Sequence, residues 1–299
     1  MGEQFWWIYD AAIAAIILVF VFISSRKGLV KTAISLACSV LALVIAFSVS
    51  SAVSKGVYKT MIRPSTIKNV SKDLYSDSVK KRLVDQLNGL DYHLSVREDK
   101  ITDLLNDENS DFDHEVYVYA NNINAIKVAE EDEFKEELHK IYGQIIYELV
   151  AKNCDPYIAE AARNLTVADP SCFQQIGREL NEEEGGQREA AAIISDNYIA
   201  PTYSKVFRYI SFIAMFVIVS LLAFFIVKSF SENIKSGEAV SHIVGGVLGI
   251  FIGIIVIIVI AVVIKLNVVL GNNEMMVFNK DTVDKTLVFK HIYNIVAGM

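Results

Sequence analysis

Signatures of catalysis are missing from this 299-residue sequence. It contains no G-x-S-x-G, no H-E-x-x-H, no P-loop and no G-x-G-x-x-G, so the common hydrolase, metalloprotease, nucleotide and dinucleotide motifs are all absent. Its five histidines (His93, His114, His139, His242 and His291) are scattered. Its three cysteines (Cys38, Cys154 and Cys172) form no C-x-x-C or Cys/His spacing, which leaves no zinc site. Ser65-Thr66-Ile67-Lys68 matches S-x-x-K, but so short a pattern arises by chance. Asp107, Asn109, Asp111, Asp113 and Glu115 alternate oxygen-bearing side chains as a calcium loop does. Phe112 stands where such a loop needs glycine, however, and Val118 where it needs glutamate. The chain reads as non-enzymatic, with no cofactor, metal or nucleic acid expected.

Charge is nearly missing from four long runs. Phe5–Ser24 carries only Asp10, Leu29–Val53 only Lys31, Phe207–Val227 only Arg208, and Ile243–Ile264 none. Roughly twenty apolar residues in a helix cross a bilayer, which cannot hydrogen-bond an exposed backbone. The predicted fold class is therefore all-α, a polytopic membrane protein with four transmembrane helices in two hairpins and an α-helical soluble insert. Hairpin 1 occupies 1–53 (helices 5–24 and 29–53), and hairpin 2 occupies 207–264 (helices 207–227 and 243–264). Arg208 and Tyr209 read as interface anchors. The first run reads as a retained helix: Glu3 precedes it, its positive charges follow it, and no small-residue cleavage site lies between.

The 21% of residues that are charged concentrate in the insert. Residues 54–206 hold 18 Lys/Arg and 28 Asp/Glu, whereas the rest of the chain holds 10 and 7. An acidic, water-soluble segment thus sits within a neutral-to-basic membrane part. Its helical periodicity is clearest over 133–150, where Phe134, Leu138, Ile141, Ile145 and Leu149 share one face. Glu130–Glu133 and Glu182–Glu184 suit solvated helix starts. Asp155-Pro156 and Asp169-Pro170 read as helix starts, and Gly185-Gly186 as a turn before another helix. A bundle of about five helices is expected, with Val116–Tyr119 the one strand-like alternation. The tail, 265–299, opens with Gly271-Asn272-Asn273. It ends in a short amphipathic helix with Leu287, Val288, Ile292, Tyr293 and Ile295, suited to a membrane surface.

Three features of the membrane part stand out. Asp10 is ionisable within an apolar run, which points to function by default. Beside Trp6, Trp7 and Tyr9 it reads as an interfacial or helix-pairing carboxylate, with a proton or ion relay as the functional alternative. Arg26-Lys27-Gly28 forms a basic turn, and Lys31 snorkels toward the same face. Gly245, Gly249 and Gly253 repeat every four residues, so one helix face lets a neighbouring backbone approach. That face serves helix–helix contact within the fold or a homo-oligomer.

Together, Asp10, the Arg26-Lys27-Gly28 turn and the final helix with Gly245, Gly249 and Gly253 resemble the colicin V production (CvpA) family. Its small bacterial members have four membrane helices, a D…RG hairpin and a [DN]-R-x-L-G-x-x-x-G-x-x-x-G segment. The resemblance covers roughly 5–64 and 205–299. Ser241-His242 stands where the family has an acid or amide followed by Arg, and the short members lack the insert. The resemblance implies a multi-pass protein of the bacterial inner membrane, needed for toxin production or export and linked to envelope maintenance, with no established chemistry. The expected partners are the lipid bilayer and an unknown envelope or secretion protein bound by the insert. The alternative function is a component of a transporter or channel, resting on Asp10 and the glycine-rich helix.

Positive charges in short loops set orientation. Arg26, Lys27 and Lys31, with Lys228 and Lys235, place the 1–2 and 3–4 loops inside and the insert outside the cytoplasm. Lys55, Lys59 and Arg63 after helix 2, and Lys205 and Arg208 before helix 3, argue the other way. An external insert permits a Cys154–Cys172 disulfide, and an internal one keeps both thiols free. A single cysteine at Asn181, in a cysteine-free background, is expected to react with a membrane-impermeant reagent on intact cells. Labelling only after lysis reverses the topology.

Overall fold

The structure, a computed structural model, describes residues 5–124, 127–182, 185–231, 239–271, 273, 275 and 277–297. Glu3, Glu183, Glu184, Lys235 and Asn272, used above, lie outside the described residues. Among the described residues every regular element is helical. In chain order the helices are α1 (Trp6–Lys27), α2 (Leu29–Val57), α3 (Arg63–Lys72), α4 (Ser76–Asn88), α5 (Glu98–Asn106), α6 (Phe112–Asn124) and α7 (Glu131–Ala151). There follow α8 (Pro156–Ala168), α9 (Phe173–Glu179), α10 (Gly186–Ile194), α11 (Ala200–Ser231), α12 (Ala239–Leu270), α13 (Lys280–Asp284) and α14 (Phe289–Ala297). Two π-helical turns, Tyr58–Ile62 and Ser195–Ile199, follow α2 and precede α11.

The chain divides into two compact units, Met1–Gly56 with Ser204–Met299, and Val57–Tyr203. The first holds four helices long and apolar enough to cross a membrane, at the positions the apolar runs predict. The protein is thus all-α and polytopic. Large side chains such as Leu18, Phe22, Leu221 and Leu222 face outward, as they must where lipid is the solvent. Gly28 separates α1 from α2. Its φ of +76° lies in the left-handed region that glycine alone adopts without strain, and its N–H donates to the Ser24 carbonyl at 3.2 Å. The helix packed most closely along α1 is not its sequence neighbour α2 but the last span, α12. Tyr9 and Ile13 of α1, Ala46 of α2, Tyr209 and Phe212 of α11, and Ile257 and Ala261 of α12 form the unit's core. Tyr209 is 2% exposed and so belongs to that core rather than to an interfacial belt.

The second unit has its own apolar core. α7 runs through its middle and buries Phe134, Leu138, Ile141, Ile145 and Leu149, the face that the periodicity marks. Glu131, Asp132 and Glu133 occupy its first turn, where the helix dipole favours them. Among the described residues eight α-helices form instead of about five, because several are only 7 to 10 residues long and carry too few turns to show a period. Val116–Tyr119 is helical within α6, with Val116 in the core. Asp155-Pro156 does open α8, but Asp169 closes it, and its Oδ1 accepts from the Ser171 N–H in a tight turn at 3.2 Å. Gly185, at φ +82°, sits directly before α10.

α7 and α8 pack side by side. At their crossing, a Cβ on Gly143 would stand 2.6 Å from Val167 Cγ2 and 3.0 Å from the Arg163 carbonyl oxygen. Gly143→Leu is therefore expected to destabilise this unit by about 1–3 kcal/mol through overpacking, read as a lowered urea midpoint. An unchanged midpoint would show that the crossing yields without strain.

Candidate functional site

The residues that single themselves out in the sequence gather at two ends of the membrane unit. Asp10 and Lys27 are 17 positions apart on one helix, so about 25 Å separates the two places.

At the first end, the Asp10 carboxylate accepts backbone hydrogen bonds from Leu287 (2.7 Å), Val288 (3.1 Å) and Phe289 (3.1 Å). These are the free N–H groups at the start of α14, which has no preceding turn to satisfy them. A carboxylate there meets both the donors and the positive end of the helix dipole. Tyr9, the adjacent residue, donates its OH to the Val277 carbonyl at 2.8 Å and stacks on Phe289 with ring centroids 4.9 Å apart. Asp10 is thus a pairing carboxylate, engaged by three amides, and its partner is the C-terminal segment. α14 buries Phe289, Tyr293 and Val296 against α12 and α1, while Leu287, Val288 and Ile295 point outward.

At the second end, the Arg26-Lys27-Gly28 turn lies against the start of α12. The Ser241 hydroxyl oxygen accepts from the Leu29 N–H at 2.8 Å. His242 Nδ1 lies 2.7 Å from the Ser25 carbonyl oxygen, a geometry that assigns it the donor proton. Thr32 Oγ1 donates to the Ser24 carbonyl at 3.0 Å. Arg26 lies outside this network, with its guanidinium 4.3 Å from the Phe22 ring centre. The glycine face follows directly. A Cβ on Gly245 would meet the Ser24 carbonyl oxygen at 2.8 Å, one on Gly249 the Phe20 carbonyl oxygen at 2.5 Å, and one on Gly253 the Ile17 Cα at 3.4 Å. All three glycines therefore admit the backbone of α1, and a homo-oligomer through the same face would have to displace it.

Between α1, α2, α11 and α12 opens a cleft of about 430 Å³. Lys27, Lys31 and Lys228 line it, together with small residues of α2 and the apolar side chains of Phe20, Phe224 and Ile252. Cys38 lies in its wall. No sequence period announces this cleft, since its lysines come from three different helices.

In the second unit the acidic run that resembles a calcium loop is dispersed. Asp107 Oδ1 accepts from the Asn109 N–H, and Asp111 Oδ1 from the His114 N–H. Asp113 accepts from the Tyr142 OH at 2.8 Å and lies 2.7 Å from His139 Nε2. Burial, with Asp113 beside it, pushes the Tyr142 hydroxyl well above its ordinary value, so it stays protonated and serves as a donor. Sequence reading missed this trio, though His139 and Tyr142 sit three residues apart on α7, the spacing of one helix face. The hydroxyls beside the neighbouring recess are turned elsewhere: Ser110 donates to the Asp107 carbonyl, and Ser171 faces Cys172. The trio ties α6 to α7. Among the described residues, no group of three His, Cys, Asp or Glu is placed to hold a metal.

Cys154 and Cys172, which an external insert would permit to pair, are both free thiols in the structure. Cys154 precedes α8 and Cys172 follows it. A helix of 13 residues is about 20 Å long, against the 7 Å or less that a disulfide requires between Cα atoms. Burial, reinforced by Asp155, also pushes the Cys154 thiol up to about 11, so it is uncharged and unreactive at neutral pH.

Asp10→Ala is expected to release α14. Amide exchange over residues 287–297 should rise at least tenfold, while α12 stays protected. Asp10→Asn, which keeps one acceptor oxygen, should fall between the two. Unchanged exchange in Asp10→Ala would show that Tyr9 and the apolar contacts suffice.

No family model, curated protein or solved structure matches this chain, so the residues themselves carry any functional reading.

Proposed function

We propose that this chain is a non-enzymatic integral membrane protein of the CvpA type, with the role in toxin production or export and envelope maintenance that the resemblance implies. Its membrane unit anchors a helical domain that binds another envelope or secretion component. One observation supports the resemblance above the rest: Gly28, Gly245 and Gly249, distant in sequence and quoted for the family motif, meet at one helix crossing. What supports a binding role for the insert is its separate core and its excess of acidic over basic residues. The transporter alternative drew its carboxylate from Asp10, and that group holds three backbone amides rather than lining a path.

Replacing residues 58–202 with a short Gly-Ser linker is expected to leave a protein that still fractionates as an integral membrane protein. It should fail to complement loss of the full-length gene in its own host, whether toxin release or envelope integrity is scored. Full complementation by the linker variant would sink the reading of the insert as the working part.

A further inference from the structure

The cleft among α1, α2, α11 and α12 joins cations to an apolar trough, with the cations at the ends of the apolar spans. Lys27 closes α1, Lys31 opens α2, and Lys228 lies in the last turn of α11. Among the described residues, neither Lys27 nor Lys31 has a carboxylate within ion-pair distance. Lys27 and Lys31 line one cleft, so their positive charges add there and draw an anion into it. Ser35 and Ser39 lie about 6 and 12 Å along α2 from Lys31, toward the middle of the span. Their hydroxyls donate back to the carbonyls of Lys31 and Ser35, both at 2.9 Å, so they leave no polar hydrogen projecting into the cleft. Together with Cys38 they make a shallow trough, faced by the bulkier Phe20, Phe224 and Ile252.

We propose that this cleft is a binding site for one anionic phospholipid, with its phosphate between Lys27 and Lys31 and an acyl chain along the Ser35–Ser39 trough. Charge complementarity selects the head, and basic pockets between membrane helices suit such headgroups. The trough selects the tail. Free phosphate would leave the trough empty, and a zwitterionic lipid would bring its own ammonium, which offsets the attraction of its phosphate to Lys27 and Lys31. The site stands apart from the anchoring role proposed above, so either can fail alone.

The test uses the full chain in nanodiscs of equal parts phosphatidylglycerol and phosphatidylcholine, with lipids retained after release counted by native mass spectrometry. One phosphatidylglycerol should be retained in preference. Lys31→Gln and Lys27→Gln should each lower that retention about fivefold, the factor one headgroup-facing cation contributes. Lys31→Arg should preserve it. Ser39→Phe, which fills the trough without touching charge, should lower it as well. Arg26→Gln removes a cation from the same boundary but outside the cleft, and should leave it unchanged. Circular dichroism checks that each variant keeps its helices. If Lys31→Gln does not fold, Lys31→Arg and Ser39→Phe still decide. Equal retention of both lipids would overturn the proposal, as would equal losses from Arg26→Gln and Lys31→Gln, which indicate surface attraction only. Displacement of the lipid by inorganic phosphate, with Ser39→Phe silent, would equally overturn it by reducing the site to a phosphate pocket.

Discussion

Two helices in a bilayer gain little by hiding apolar surface from each other, because lipid tails are as apolar as leucine. Association then depends on how closely the backbones approach and on the polar groups that meet across the contact. The α1–α12 crossing satisfies both terms. Gly245 and Gly249 remove the atoms that would stand 2.8 and 2.5 Å from backbone oxygens of α1. The same approach brings Ser241 and His242 within hydrogen-bond reach of the turn that ends α1. Dispersion rises steeply as the gap closes, and so does the strength of hydrogen bonds in a medium of low dielectric. The first and last spans are thereby fixed to each other, although more than two hundred residues separate them.

That fixation explains where the tail goes. α12 runs antiparallel to α1, so its C-terminal end returns the chain to the level of Tyr9 and Asp10. A short helix such as α14, of 9 residues, is marginal alone, since nucleation is costly and its first amides lack partners. Asp10 supplies those partners, Tyr9 and the core supply apolar contact, and the helix follows. The residue that looked most like a functional charge in a membrane is thus engaged in local structure. An ionisable group within a span demands a partner, and three amides with a helix dipole are as good a partner as a transported ion.

The sequence carried the spans and α7 plainly, because each runs for many turns and repeats a period that chance rarely sustains. Short helices such as α5 and α9 were not legible. Their 9 and 7 residues hold two or three core positions each, which fit several patterns. Asp155-Pro156 and Asp169-Pro170 have the same local chemistry but opposite places in the fold, one opening α8 and the other closing it. Tertiary packing decides such cases. Gly245, Gly249 and Gly253 announced a contact face without naming the partner, since glycine spacing describes one helix only. The cleft was invisible for a related reason: Lys27, Lys31 and Lys228 become a set only once three helices are placed.

An acidic domain of some 150 residues lies between spans 2 and 3, and the reason it can be housed there follows from which contacts carry the membrane unit. The close crossing joins α1 to α12, and the tail returns to α1, so both involve the outer segments of the chain and not the junctions where the domain enters and leaves. The domain in turn fastens its own ends together. Tyr58 donates to the Ser195 carbonyl at 2.8 Å, and Arg63 forms a two-bond pair with Asp196, each at 2.7 Å. These bonds join the segment at Tyr58–Arg63 to the π-helical turn at Ser195–Ile199. A domain whose termini are held side by side adds little loop-closure entropy to its host, because the gap it spans is already bridged. Such an arrangement lets the insert change its surface without disturbing the helices that hold it. The partner-binding role proposed for the insert would use that freedom, whereas a pore, whose lining must come from the spans themselves, would not.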